Sequence, residues 1–136
     1  MADLQEVNEI HLTLIQTNIG RLATTSFLIK GWGVTLVSAI FALAAKDTNP
    51  AFVLVAYFPS IMFWLLDGYF LGMERRFVEM YNQASQGLIS KFEIKPHNFT
   101  SKRACMSAAC LSRTLLLFHG AIFATILVVM FGVSRL

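Results

Sequence analysis

Uninterrupted apolar length constrains this chain more than any other feature. Residues 27 to 45 and 51 to 73 form two windows of about 20 predominantly apolar residues, the length an α-helix needs to cross a hydrocarbon core about 30 Å thick. The polar turn between them, Lys46 to Pro50, is so short that the second helix must return antiparallel beside the first. A third window, from about Thr114 to Val133, follows a mixed segment, with Arg135 just beyond it. At 136 residues, 56% apolar and 14% charged, the chain reads as a single membrane domain.

Ahead of the first window, residues 1 to 23 place Leu4, Val7, Ile10, Leu14, Ile15, Ile19 and Leu22 at intervals of three and four among polar residues, the signature of an amphipathic helix. Asp3, Glu6 and Glu9 make it acidic, so it suits packing on protein better than adsorption on anionic lipid. The same acids, and the lack of a continuous apolar core, argue against a secretory signal. Thr24, Thr25 and Ser26 offer cap-like hydroxyls before the first span.

The second span contains Pro59, which predicts a kink. It runs on past Met73, through Glu74, Arg75, Arg76 and Glu79, as one long helix that Gly87 is suited to end. Residues 90 to 98 alternate too briefly to choose between strand and loop. The expected fold is therefore all-α: an N-terminal amphipathic helix plus three transmembrane helices, the second extended into a cytoplasmic segment at 74 to 113. Lysine and arginine are concentrated in that segment, at Arg75, Arg76, Lys91, Lys95, Lys102, Arg103 and Arg113, against Lys46 alone in the short turn. This asymmetry predicts a cytoplasmic N-terminus and an external C-terminus.

Depth counting brings three ionisable residues together. Lys30 lies fifteen residues before Ala45 and Asp67 sixteen after Ala51, so both sit roughly 22 to 24 Å from the short turn. Trp32 and Trp64 are level by the same count, near the inner boundary where tryptophan is favoured. His119, six residues into the third span, reaches a similar depth from the other side. One reading is structural: Lys30 and Asp67 pair, or Lys30 snorkels to headgroups, while His119 bonds a carbonyl. The other is that intramembrane charge marks an ion or proton path. Gly31, Gly33, the G-x-x-x-G pair Gly68 and Gly72, and Gly120 allow close helix approach. Three spans enclose too little space for an aqueous channel, so any conduit is oligomeric.

Lys91, Lys95, Lys102 and Arg103, with Phe92 and Phe99 among them, are either topology determinants beside anionic lipid or a surface for a nucleotide or oligonucleotide. His11, His97 and His119 have no metal-ligand spacing and no nucleophile lies beside a base, so neither an enzyme nor a cofactor is expected. Cys105 and Cys110, five residues apart, fall on different faces of a helix and read as reduced, small apolar residues.

Residues 15 to 81 resemble a group of small bacterial membrane proteins with an R-x-A-x-x-S-F-x-x-K-G-W entry to the first helix and an L-D-x-Y-Y-L-R-x-E-R-x-F exit from the second. Arg21, Ala23, Ser26, Phe27, Lys30, Gly31, Trp32, Leu66, Asp67, Tyr69, Leu71, Glu74, Arg75 and Phe77 match; Phe70 replaces a tyrosine and Gly72 a basic residue. The pattern is similar to the transmembrane effectors of bacterial anti-phage systems, including the channel effector of the Hailong system. That resemblance implies a tetrameric inner-membrane channel controlled by an oligonucleotide from a partner nucleotidyltransferase. On that expectation Lys30, Asp67 and His119 form the gate or packing layer, and Glu74, Arg75 and Arg76 couple it to the cytoplasmic helices. Lys91, Lys95, Lys102 and Arg103 then contact the anionic regulator. The competing expectations are a non-conducting scaffold for a cytoplasmic partner and a holin-like lesion former.

Overall fold

The computed structural model describes residues 2–47, 50–89 and 93–133. Five α-helices occur among them: α1 Ala2–Asp47, α2 Pro50–Val55, α3 Tyr57–Ser85, α4 Met106–Cys110 and α5 Arg113–Val133, with a 3₁₀ turn at Pro96–Asn98. No strand is present among the described residues. Three helical stretches, Gln5–Lys46, Val53–Ser85 and Arg113–Gly132, are long and apolar enough to cross a membrane. Their outer faces carry large exposed apolar side chains, with Phe27, Phe58, Leu117 and Val128 each more than 70% exposed, a surface compatible with lipid.

The expected break between an amphipathic helix and the first span is absent. α1 is one helix of 46 residues, about 69 Å long, more than twice the thickness of a bilayer core. The hydroxyls expected to cap a new helix do not do so. Thr24 and Thr25 donate back to the Gly20 and Arg21 carbonyls at 3.0 and 2.9 Å, and Ser26 turns inward. With no proline between residues 2 and 47, nothing stops the helix. Its inward positions, His11, Ile15, Ile19, Leu22, Ser26, Ile29, Gly33, Val37, Ile40 and Ala44, fall three or four apart. The sets 11, 22, 33, 44 and 15, 26, 37 recur every eleven residues. That period, about 3.67 residues per turn, keeps one stripe facing one way over the whole helix.

Pro59 divides the second span rather than merely bending it. Its ring removes the N–H that would bond the Val55 carbonyl, and the helix is interrupted at Ala56, between α2 and α3. Ser60 anchors the start of α3 on the Ala56 carbonyl instead, through its Oγ at 2.7 Å and its N–H at 3.3 Å. α3 then continues to Ser85, where Gly87, with φ 71°, closes it. Gly87 N–H bonds the Ala84 carbonyl and Leu88 N–H the Gln83 carbonyl, both at 3.0 Å, the paired bonds of a Schellman stop.

Two apolar clusters lie at opposite ends of the helical stack. Val37, Ala44, Val53, Ala56 and Ile126 join α1, α2, α3 and α5 near the short turn. Ile15, Phe77, Met80, Ala84 and Phe99 hold the far halves of α1 and α3 together, with Phe99 sealing the end. The polar cluster lies between them.

Candidate functional site

α1 presents Ser26 and Lys30 one turn apart toward α3, α3 presents Asp67, and the second turn of α5 presents His119. The Asp67 carboxylate is fully buried and accepts from three sides. Ser26 Oγ donates to Oδ1. Lys30 Nζ lies 2.8 Å from Oδ1 and 2.7 Å from Oδ2, and donates to Ser26 Oγ at 2.8 Å. His119 Nε2 lies 3.2 Å from Oδ2. Lys30 Nζ also stands 6.0 Å from the centre of the Phe118 ring, at the limit of cation–π range. Lysine and aspartate balance each other, and the Nε2–H tautomer of His119 completes the carboxylate's shell. His119 Nδ1 is buried with no hydrogen-bond partner among the described residues.

The structure therefore brings Lys30, Asp67 and His119 into one cluster, with Ser26 as a fourth member that sequence reasoning assigned to a cap. The available signal was spacing: Ser26 precedes Lys30 by four residues, the separation that stacks side chains on a helix face.

A single stripe of α3 sets where His119 lands. Trp64, Gly68, Gly72 and Arg75 follow at intervals of four, four and three, and all four hold the segment from 103 to 110. Trp64 Nε1 donates to the Cys110 carbonyl at 3.1 Å, and its ring meets Phe123 edge-on at 6.3 Å. A Cβ at Gly68 would overlap Cys110 Sγ, and one at Gly72 would come within 3.3 Å of the Ala104 carbonyl. Arg75 Nη1 donates to the Arg103 carbonyl at 2.7 Å and more distantly to Ala108 at 3.4 Å. The G-x-x-x-G pair thus accepts the short helix α4 and its approach, while Gly31 and Gly120 have no close neighbour within the chain. Cys110 is buried in this seat, but Cys105 is exposed, because it lies at the start of α4 with its thiol 3.3 Å from Ser107 Oγ. That hydrogen bond lowers the Cys105 thiol from its ordinary value.

Of the coupling residues, Arg75 bridges α3 to the 103–108 segment. Arg76 lines a small cleft with Tyr69, Met73 and Met106, and its buried Nε has no partner among the described residues. Glu74 lies close enough to Arg75 and Lys30 to feel both charges.

The basic residues separate. Lys102 and Arg103 are exposed and, with Arg75, Asn82, Ser101 and Glu79, line an open groove of about 820 Å³. Lys95 is not in that lining; it pairs with Glu93 at 2.7 Å, which raises its ammonium above the ordinary lysine value. Lys91 and Phe92 lie outside the described residues. Comparison with family models, curated proteins and solved structures finds no match to this chain.

Proposed function

We propose that this chain is the subunit of an oligomeric ion channel or pore of the bacterial inner membrane. On this reading it is not an enzyme; it acts as an anti-phage effector, gated from the cytoplasm by a nucleotide or oligonucleotide signal, and depolarises the cell. The N-terminus is cytoplasmic and the C-terminus external, as the lysine and arginine distribution requires.

The observation that carries this reading is the buried Ser26–Lys30–Asp67–His119 cluster within helices apolar enough to span a membrane. Ionisable groups at such depth are costly and mark ion pathways or elements that move. Asp67 has no exposure, so it acts as a latch between α1, α3 and α5 instead of lining a pore. The conduit lies between subunits, and a tetramer is the assembly implied by the resemblance to the anti-phage effectors. Arg75 joins the basic groove to the latch: it grips the carbonyls of Arg103 and Ala108, that segment carries Cys110 against Gly68, and α5 leads from there to His119. An anion drawn to Lys102 and Arg103 can therefore pull on the third member of the latch.

Expression in bacteria with a membrane-potential dye tests this. Depolarisation that depends on a co-expressed nucleotidyltransferase supports the regulated channel. Depolarisation without one favours a holin-like lesion former, and none at any expression level favours a scaffold.

A further inference from the structure

Depth, counted along the helices, gathers six cations into one layer. The Lys30–Asp67 pair lies roughly 22 to 24 Å in from the short turn, so a hydrocarbon core about 30 Å thick ends about 6 to 8 Å beyond it, near Gly72. The headgroup zone occupies about 5 to 8 Å more. Arg75 and Arg76 follow Asp67 by eight and nine residues, Arg21 precedes Lys30 by nine and Arg113 precedes His119 by six, which places them roughly 9 to 14 Å beyond the pair. The Ala104 carbonyl lies against Gly72 and Arg75 holds the Arg103 carbonyl, so Lys102 and Arg103 belong to the same level. All six therefore fall at the depth of lipid phosphates. On α1, α3 and α5 only Glu74 supplies negative charge there; Glu79, twelve residues past Asp67, lies roughly 18 Å out.

None of these six forms an ion pair among the described residues. Three of them, Arg75, Lys102 and Arg103, line the open groove, whose α3 wall continues outward to Asn82. No aromatic ring is part of that lining. Phe99, which the sequence offered for stacking a base, is instead buried in the cluster of Ile15, Phe77 and Met80. Grooves that hold single-stranded nucleic acid add stacking platforms to their cations, whereas this one offers phosphate-binding groups alone. On the core side of the groove, Leu111 follows Cys110, which abuts Gly68, and is 63% exposed at acyl-chain depth.

We propose that the groove holds the headgroup of an anionic phospholipid from the cytoplasmic leaflet, its phosphate against Arg75, Lys102 and Arg103 and its polar end toward Ser101 and Asn82. This inference rests on the membrane orientation proposed above, and not on conduction. Guanidinium groups suit phosphate oxygens through paired hydrogen bonds, and each cation at a leaflet surface favours anionic lipid by roughly fivefold. Acyl chains keep the phosphate at the depth of these cations, so the site fills from the bilayer. Because Arg75 also grips the Arg103 and Ala108 carbonyls, the headgroup steadies the segment that seats α4. A soluble anionic regulator reaches the same cations only by displacing the lipid, which ties the response to leaflet composition.

The test reconstitutes the full-length protein in phosphatidylcholine vesicles that contain a minor fraction of phosphatidylglycerol. The protein is extracted in mild detergent and its retained lipid quantified by mass spectrometry. Phosphatidylglycerol should be enriched at least about fivefold over its share of the vesicle, with the enrichment lost in Lys102→Gln/Arg103→Gln and kept in Lys102→Arg/Arg103→Lys. Arg21→Gln/Arg113→Gln removes two cations of the same layer that are not in the groove lining and should keep most of the enrichment; an equal loss there means diffuse attraction and overturns the site. Excess inorganic phosphate or glycerol phosphate should leave the lipid in place, and displacement by either overturns the lipid as the source of the phosphate. A wild-type chain that resists carbonate extraction yet shows no enrichment overturns the inference and leaves the channel reading standing, even if a short oligonucleotide binds it. A chain released by carbonate overturns both.

Discussion

Lys30→Met and Asp67→Asn break the same ion pair, yet their costs should differ. In the first variant the carboxylate stays where it has no exposure, with only Ser26 and His119 beside it. Removing one partner of a buried pair costs about 3–5 kcal/mol. In the second variant the lysine is stranded, but its side chain is 20% exposed, and a four-carbon stem lets the ammonium swing toward the polar end. Only hydrogen bonding and some packing are lost, about 1–2 kcal/mol. The double variant should cost well below the sum of the singles. Steric-trap unfolding in bicelles measures all three variants. Equal penalties for the two singles, or additivity within about 0.5 kcal/mol, would refute the latch.

Three further outcomes follow from the packing around it. Gly68→Ala should lower stability by at least about 1–3 kcal/mol through overpacking, with partial recovery on adding Cys110→Ala, because Sγ is the nearest obstacle but the Cys110 Cα at 3.3 Å remains; thermal melts in detergent read both. Arg75→Ala should speed amide exchange between residues 103 and 110 while leaving α1 protected, since Arg75 holds the Arg103 and Ala108 carbonyls; uniform protection loss would point to global unfolding instead. Maleimide should label Cys105 and spare Cys110 in the folded protein. Ser107→Ala should slow Cys105 labelling near pH 7, because the Ser107 hydrogen bond holds the thiol below its usual range and favours thiolate, and the two rates should converge at high pH.

Legibility in the sequence followed how local each signal was. Apolar length and antiparallel return require only counting, and counting from the short turn put Lys30 and Asp67 at one depth. The roles of Ser26, Thr24 and Thr25 were misread because hydroxyls beside a span look like caps, whereas each bonds one turn back or across to α3. The continuity of α1 was hidden by its change from polar to apolar surroundings; the eleven-residue spacing of its inward face bridges that change. Nothing local announced that Gly68 and Gly72 serve α4 and its approach, because those contacts join residues about thirty to forty apart. Lys95 looked like part of a basic patch, but Glu93, two residues earlier, takes it. The groove at Lys102 and Arg103 depends on Arg75 fixing the neighbouring backbone, a tertiary fact with no linear motif.

Single-channel recording from the purified full-length protein in planar bilayers tests the central claim most directly. Discrete conductance steps are expected, with open probability changed by disrupting Asp67 and by charge reversal at Lys102 and Arg103, while oligomer size holds for the Asp67 variant. A protein that is oligomeric in the same lipid yet passes no current, with or without anionic nucleotides on the basic side, would contradict it.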